Sequence, residues 1–288
     1  MNILIGLLPA IGWGFLPIFT GVFGGKPINQ LFGTSVGGFI VALLIYLYSQ
    51  PQIDLRIIIL CLISGMLWSF GQITQYMAFK EIGVSTSMPI STGLQLIGNS
   101  LIGVAVFGEW KTAITITLGF FALFLIIIGI ILTTFTEKNV GATKKNMTKG
   151  ILYLVVGNFG YMGYSFFPRW GQIDGWSAIF PQTVGMVLMT FVFVGISMVK
   201  EQTNPLKERS SYTNLITGLL FGLAVFFYLI SIKLNGIANG FTLSQMCVVI
   251  STTLGIFILK ESKTKEEMIF TFSGLFVVII GGLIISVL

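Results

Sequence analysis

The sequence predicts an all-α integral membrane protein in which ten transmembrane helices form two inverted five-helix repeats. Of the 288 residues, 55% are hydrophobic and 9% are charged, and the mean hydropathy is +0.94, far from the balance of a water-soluble domain. Apolar runs of about 18 residues or more recur along the chain, as a hydrocarbon layer roughly 30 Å thick requires of a helix that crosses it. Short segments of the first half also recur in the second half.

The apolar runs place the helices in chain order. The first run follows no basic segment and precedes no small-residue cleavage pattern, so we interpret it as the first span and not as a removable signal peptide. The longest polar connection divides the chain into a first repeat (1–135), a linker (136–149) and a second repeat (150–288). The ten spans are predicted at 3–22, 32–49, 56–79, 85–107, 113–134, 150–168, 176–198, 213–232, 238–259 and 267–287.

Three segments of the first half recur in the same order in the second half. Lys80–Ser85 matches Lys233–Ala238 and Gly103–Trp110 matches Gly255–Ser262, both at separations of 152 or 153 residues. Phe32–Gly37 matches a segment that begins 148 residues later. One such match could arise by chance, but three in one order indicate a duplicated unit. Because five crossings is an odd number, two consecutive copies must lie upside down relative to each other, as in many secondary transporters.

Lysine and arginine are distributed unevenly between the connections. The connections after spans 1, 3, 5, 7 and 9 carry 12 of the 16 basic residues, and those after the even-numbered spans carry 4. Cytoplasmic loops are enriched in these residues, so the count predicts cytoplasmic odd connections and both termini outside. The same pattern accounts for the net charge of +6 without a nucleic acid partner.

Glycine spacing predicts where helices approach each other closely. Gly33 and Gly37 lie four residues apart within a span, as do Gly6, Ala10 and Gly14. In lipid, small residues at this spacing let two helix backbones come into contact. We therefore expect tight helix packing at these positions.

Polar side chains within the spans are candidates for a binding site, because lipid contact disfavours them. In span 3, Trp68, Gln72 and Gln75 share one helix face, and in span 4, Ser91, Gln95 and Asn99 form a stripe with four-residue spacing. Hydrogen bonding between helices is an alternative explanation for the glutamines. The second half adds uncharged polar residues in spans 7 and 9, and aromatic residues accompany both sets. The substrate-binding residues predicted in this way are Trp13, Trp68, Gln72, Gln75, Ser91, Gln95, Asn99, Gln182, Ser244 and Gln245.

These residues predict the chemistry of the ligand. Amides and hydroxyls bond vicinal hydroxyl groups, and aromatic faces receive C–H surfaces, so the set suits a neutral polyhydroxyl compound. All ten acidic residues fall at or beyond a predicted span end, which argues against a cation exporter. An anionic substrate would need a buried Arg or Lys. Arg169 is the nearest candidate, and we interpret it as an interfacial ion pair with Asp174 or an anchor. The chain has no His, and it shows no Walker loop or metal-ligand cluster, so we predict neither an enzyme nor a metal or cofactor.

Three segments resemble the bacterial glucose/ribose uptake family of the drug/metabolite transporter superfamily. They are MPISTGLQLIG (Met88–Gly98), DGWSAIFPQTVGMVL (Asp174–Leu188) and TLSQMCVVIST (Thr242–Thr252), and the likeness extends over essentially the whole chain. The resemblance implies a cell-membrane protein of ten helices in two inverted repeats that imports a monosaccharide, with glucose as the leading substrate. Superfamily relatives usually have cytoplasmic termini, which is opposite to the orientation that the charge count predicts.

Members of this family are described as proton-linked carriers, so the resemblance also implies a carboxylate that couples transport to a proton. The candidates are Glu109, Glu261 and Asp174, and the first two occupy corresponding places in the two repeats. Helix capping or loop ion pairing explains them equally well. We expect import by alternating access, as a facilitator or a proton symporter. The alternatives are an exporter of small lipophilic cations or metabolites, and a membrane sugar sensor or scaffold that does not transport.

Overall fold

The structure, a computed structural model, describes residues 3–135, 146–235, 240 and 243–288, except for the side chain of Ile232. All statements below refer to these residues. Helices account for nearly all of them, and the connections between consecutive helices are short. The helices are α1 (Ile3–Phe23), α2 (Pro27–Ser49), α3 (Leu55–Ile82), α4 (Val84–Phe107), α5 (Ala113–Thr133), α6 (Met147–Trp170), α7 (Gly175–Lys200), a 3₁₀ turn (Pro205–Lys207), α8 (Arg209–Thr213), α9 (Leu215–Asn235), α10 (Cys247–Phe257) and α11 (Lys265–Ser286).

Within the described residues, eight helices are long and apolar enough to cross a membrane. They are α1 to α5, α7, the continuous stretch of α8 and α9, and α11. This number makes the chain a multi-pass membrane protein. The other two predicted spans correspond to α6, which is long but interrupted by Gly, Asn and Tyr, and to a shorter apolar helix at Leu243–Phe257. Ten crossings and the inverted repeat therefore stay predictions. Most of the predicted linker, and part of the start of predicted span 9, lie outside the described residues.

Two helices begin earlier than the apolar runs predicted. Helix α2 starts at Pro27 and not at residue 32, because proline suits the first helical position and Asn29 Oδ1 accepts a hydrogen bond from the Lys26 backbone at 2.8 Å. Because Asn29 and Gln30 are polar, the sequence predicted this turn as part of the connection between spans 1 and 2. Both amides are bonded to other helices or their ends, Asn29 to Ser211 at 2.8 Å. Helix α6 likewise starts inside the predicted linker, where Asn146 caps it.

The helices of the two halves interleave. Helix α3 packs on α6 and α7, while α9 packs on α1 and α2; α4 packs on α6, while α10 packs on α1. Three further contacts join α2 to α7, α4 to α10 and α5 to α11. The predicted close approach at Gly33 and Gly37 is confirmed, because a Cβ atom on either would overlap the backbone at the start of α9. Gly65 of α3 meets the backbone of α7 at Gln182 in the same way.

The bundle has two faces that differ in how tightly they are closed. Helices α1, α3, α5, α7 and α10 end at one face, which we call the sealed face. Helices α2, α4, α6, α9 and α11 end at the other, which we call the open face. Every residue of the first ten in α4, from Val84 to Gly93, is buried. By contrast, the opposite end of α4 borders a large opening, as described below.

Candidate functional site

A cavity of about 280 Å³ lies between the middle parts of α1, α3, α4, α6 and α9 and the residues around the start of α10. Its volume is close to the lower end of the roughly 300–1,000 Å³ that small-molecule sites span. None of the described residues that line it is Asp, Glu, Lys or Arg. The cavity therefore suits a small, uncharged ligand held at mid-depth in the bundle.

Eight of the ten predicted binding residues line this cavity, and they come from four separate parts of the chain. Ser91 lies directly behind the wall, where its Oγ accepts hydrogen bonds from two of the lining glutamines. Gln182 lies elsewhere, in the contact between α3 and α7, and its Nε2 donates to Ser64 Oγ at 2.8 Å. The predicted residues in the wall are Trp13, Trp68, Gln72, Gln75, Gln95, Asn99, Ser244 and Gln245.

A continuous chain of hydrogen bonds forms one wall of the cavity. The Tyr161 hydroxyl on α6 shares its one proton between Oε1 of Gln72 and Oε1 of Gln75, each 3.0 Å away. Gln72 Nε2 donates to Gln75 Oε1 at 3.1 Å. Gln75 Nε2 donates to Ser91 Oγ at 2.7 Å, and Gln95 Nε2 donates to the same oxygen at 3.1 Å. We call these five residues the amide wall.

Aromatic rings also line the cavity. The Trp13 and Tyr228 ring centroids are 5.4 Å apart, with an angle of 49° between the rings. Trp68 and Phe221 are 4.8 Å apart at 37°. The indole N–H of Trp13 is buried and has no hydrogen-bond partner among the described atoms. The tryptophans predicted as stacking surfaces are thus already in contact with rings of α9.

The cavity adjoins a larger opening at the open face. This vestibule has a volume of about 880 Å³ and lies among the ends of α4, α6 and α11 and the start of α5. Four residues line both spaces, Leu96, Asn99, Ser165 and Tyr228. The vestibule therefore leads from the open face to the cavity.

The opposite side of the cavity is closed by contacts between connections. The Glu261 carboxylate accepts hydrogen bonds from the backbone N–H groups of Val84 and Ser85 and from the Ser85 hydroxyl. It thereby caps the start of α4, whose preceding residue, Gly83, has a positive φ of 82°. A Cβ atom at Gly83 would lie 2.7 Å from the Glu261 carboxylate, so glycine leaves the space for this contact. Two ion pairs, Lys26–Glu201 and Lys149–Glu81, lie at the same face.

The other two candidates for proton coupling are also bound to protein groups. Glu109 pairs with Arg169 in the wall of the vestibule. Asp174 caps α7 by accepting hydrogen bonds from the backbone of Trp176 and Ser177. The predicted pairing of Arg169 with Asp174 is therefore wrong, because Asp174 is used by its own helix and Glu109 reaches the arginine from α4's C-terminal end.

Several lining residues had no assigned role in the sequence analysis. Tyr161 contributes its hydroxyl to the amide wall. The others include Thr92, Tyr164, Ser165, Phe221 and Tyr228. The internal repeat could have identified three of them as site residues. Tyr161 lies 148 residues after Trp13, and Phe221 and Tyr228 lie 153 residues after Trp68 and Gln75. Positions that correspond to predicted site residues are thus themselves in the site.

Possible metal ligands are not clustered in the part of the chain that the structure describes. No group of three or more Cys, Asp or Glu residues there could hold a metal ion. Cys61 and Cys247 are both buried and unpaired with each other. The arrangement can hold a ligand through hydrogen bonds and ring contacts.

Comparison with known proteins gives a consistent result. The family description "Sugar transport protein" matches residues 4–288. The chain is 44% identical over 285 residues to the "Putative ribose uptake protein RbsU" of Latilactobacillus sakei, covering 98% of this chain and 97% of that protein. It is 42% identical over 289 residues to the "Glucose uptake protein GlcU" of Bacillus subtilis, covering 100% and 98%.

A solved crystal structure is also similar to the whole chain. It aligns with a TM-score of 0.63 and 16% sequence identity, covering 100% of this chain and 98% of that one. At this identity the likeness shows a shared fold and carries no information about the ligand.

Proposed function

We propose, from the premise that the chain belongs to the sugar transport protein family, that it imports a neutral monosaccharide across the cell membrane, with glucose as the leading substrate. The observation that carries the proposal is the uncharged cavity at mid-depth, which is lined by amides and by aromatic rings. Amide and hydroxyl groups can satisfy sugar hydroxyls, and rings can receive the C–H face of the sugar.

Two relatives support a monosaccharide as the substrate. One is named for ribose uptake and the other for glucose uptake, and each is similar over almost its full length. The cavity has room for one small ligand. Ribose has one carbon and one hydroxyl group fewer than glucose, so the placement of a few amides decides between them.

We propose that transport proceeds by alternating access between two inverted repeats, 1–135 and 150–288, joined by the linker 136–149. The helix contacts support this arrangement, because exchanging the two halves maps the packing of α3 on α6 and α7 onto that of α9 on α1 and α2. The contacts of α2 with α7 and of α5 with α11 map onto themselves. Such a pairing lets the halves rock around a central site and open each face in turn.

The distribution of Lys and Arg supports an orientation with the sealed face in the cytoplasm. In this orientation the vestibule opens to the outside and the structure is the state that receives a sugar for uptake. Release then requires the sealed face to open, including the contact of Glu261 with α4.

The contacts of the three candidate carboxylates bear on whether transport is coupled to protons. Glu109, Glu261 and Asp174 each bind protein groups at a helix end, and none lines the cavity. This supports a facilitator that moves sugar down its gradient. Proton symport through one of these carboxylates is the other mode that the experiment must separate.

The test is uptake of radiolabelled sugars by proteoliposomes, with and without an imposed pH gradient, using glucose, ribose and other hexoses. We expect labelled glucose to equilibrate in both conditions and to show counterflow against unlabelled glucose. Accumulation that requires a proton gradient would establish symport. Absence of counterflow for every sugar would contradict transport and favour a sensor or scaffold, and efflux of lipophilic cations alone would favour an exporter.

A further inference from the structure

We propose that Tyr228 of α9 binds the sugar directly, through its hydroxyl group, at the end of the cavity that adjoins the vestibule. The inference rests on the proposed function and assigns a binding role to a residue for which the sequence analysis gave none. It differs from the stacking role of the tryptophans, because the group that acts is the hydroxyl and not the face of the ring.

The Tyr228 hydroxyl is available to a ligand. Tyr228 lines the cavity, and no hydrogen bond joins its side chain to another residue in the part of the chain that the structure describes. The hydroxyl oxygen is not enclosed by protein, whereas the indole nitrogen of the neighbouring Trp13 is. It is therefore accessible from the space between the helices, where a ligand can reach it.

The internal repeat shows why this hydroxyl is left without a protein partner. Tyr228 lies 153 residues after Gln75, and Trp13 lies 148 residues before Tyr161, so the two pairs occupy corresponding places. Tyr161 and Gln75 are joined by a hydrogen bond at 3.0 Å. Trp13 and Tyr228 make a ring contact instead, with centroids 5.4 Å apart. The exchange of an amide for a phenol thus leaves a polar group that the protein does not use.

A tyrosine hydroxyl can bond a sugar hydroxyl in either direction. It has one proton to donate and lone pairs that accept, and the proton rotates to suit the partner. Because the Tyr228 ring already packs on Trp13, little side-chain freedom is left to lose when the sugar binds. The hydroxyl can therefore contribute most of a hydrogen bond to the affinity.

Tyr228 lies where the cavity meets the vestibule, because it lines both. Asn99 of α4 also lines both, and its side-chain amide makes no hydrogen bond to a residue within the described ranges. None of the five residues of the amide wall lines the vestibule. A sugar that enters from the open face therefore meets Tyr228 and Asn99 before it reaches the amide wall.

The experiment measures the binding of glucose and its deoxy analogues to the purified wild-type protein and to Tyr228→Phe. The series removes each hydroxyl of glucose in turn, and a thio sugar replaces the ring oxygen by sulfur. Phenylalanine keeps the ring on Trp13 and removes only the hydroxyl, so we expect glucose to bind about three- to tenfold more weakly. The analogue that lacks the bonded sugar atom should bind almost equally to both proteins, because the bond is missing in each case.

Tyr153→Phe, on α6 and outside the cavity lining, is the matched control and should bind every sugar as the wild type does. An equal loss for glucose and for every analogue in Tyr228→Phe would overturn the inference, since no sugar atom would then depend on the hydroxyl.

The Tm of the sugar-free protein separates a ligand contact from a structural one. Because the Tyr228 hydroxyl bonds no residue that the structure describes, its removal should leave the Tm unchanged. A lower Tm, or a variant that does not fold, would show that the protein itself uses the hydroxyl and would count against a role in binding.

The failure of this inference is distinguishable from that of the proposed function. A wild-type protein that binds none of the sugars would overturn both. A wild-type protein that binds and transports glucose, together with a Tyr228→Phe variant of unchanged affinity, would overturn the role of Tyr228 alone.

Discussion

Ser91 joins two glutamines of the cavity that differ in how much hydrogen-bonding capacity they retain for a ligand. Gln75 uses its oxygen twice and its nitrogen once within the protein. Gln95 lines the cavity and makes one described side-chain hydrogen bond, from its nitrogen to Ser91. Of the two, Gln95 is therefore the better placed for direct contact with a sugar hydroxyl.

Replacement of Gln95 by alanine should weaken glucose transport without unfolding the protein. The change removes a hydrogen bond to the sugar worth about 1–1.5 kcal/mol, which corresponds to a roughly tenfold rise in KM. Counterflow in proteoliposomes measures the KM, and thermal denaturation in detergent checks that the variant is folded. Gln52→Ala, in the exposed connection between α2 and α3, is the control. A variant with unchanged KM would remove Gln95 from the site.

Sequence reasoning located eight of the 20 described residues that line the cavity, because an amide in a transmembrane span needs a polar partner and the spacing of Gln72 and Gln75 shows their shared face. It could not separate Gln182 from the others. That amide is bonded to Ser64 in a helix contact, and identifying this requires knowing that α3 and α7 are neighbours. The hydrogen bonding of Tyr161 was hidden for the same reason, since its partners are 86 and 89 residues away.

At the scale of elements, glycine determines how closely the helices of the two halves can pack. Spacing predicted close approach at Gly33 and Gly37 correctly, but the partner helix, α9, followed only from the structure. Helix starts were less predictable. The first turn of α2 carries two amides, the buried Asn29 and the half-buried Gln30. Their polarity suggests a loop when only apolar runs are considered, although each is bonded to a neighbouring segment.

Gly65→Ala should destabilise the contact between α3 and α7. The added methyl group would overlap the backbone carbonyl of Gln182, and a backbone atom cannot move aside as a flexible side chain can. We expect a loss of about 1–3 kcal/mol, seen as a lower Tm in detergent and a faster loss of sugar binding on heating.

Gly195→Ala is the matched control, because a Cβ atom at this position of α7 has no neighbour within 4 Å. It should leave the Tm unchanged or raise it slightly, since alanine is the better helix former. Equal effects of the two substitutions would show that the glycines matter for flexibility and not for contact.

At the scale of the whole molecule, the two faces of the bundle are in opposite states. The vestibule opens one face, while Glu261 and two ion pairs join connections at the other. Lysine and arginine counts predict which set of connections is cytoplasmic. They do not predict which face is sealed, because a carrier must close each face in turn with the same sequence.

The contact of Glu261 with α4 should control how often the sealed face opens. Its carboxylate binds two backbone N–H groups at the positive end of a helix dipole, a favourable place for a negative charge. If Glu261→Ala removes about 2 kcal/mol of this stabilisation, the population open at this face rises roughly thirtyfold. Glu261→Gln, which keeps an acceptor and loses the charge, should have an intermediate effect.

Cys247 provides a measure of this opening, because it lines the cavity and becomes the only thiol once Cys61 is replaced by alanine. A membrane-impermeant thiol reagent should label it from the open face in all variants. From the sealed face, labelling should be slow in the parent protein, which carries only Cys61→Ala, and faster when Glu261→Ala is added. Inside-out and right-side-out vesicles expose the two faces separately, so comparing them measures labelling from each face. Glu266→Gln, an exposed carboxylate at the same face, should behave like the parent. Equal labelling from the sealed face in Glu261→Ala and its parent would mean that other contacts keep this face closed.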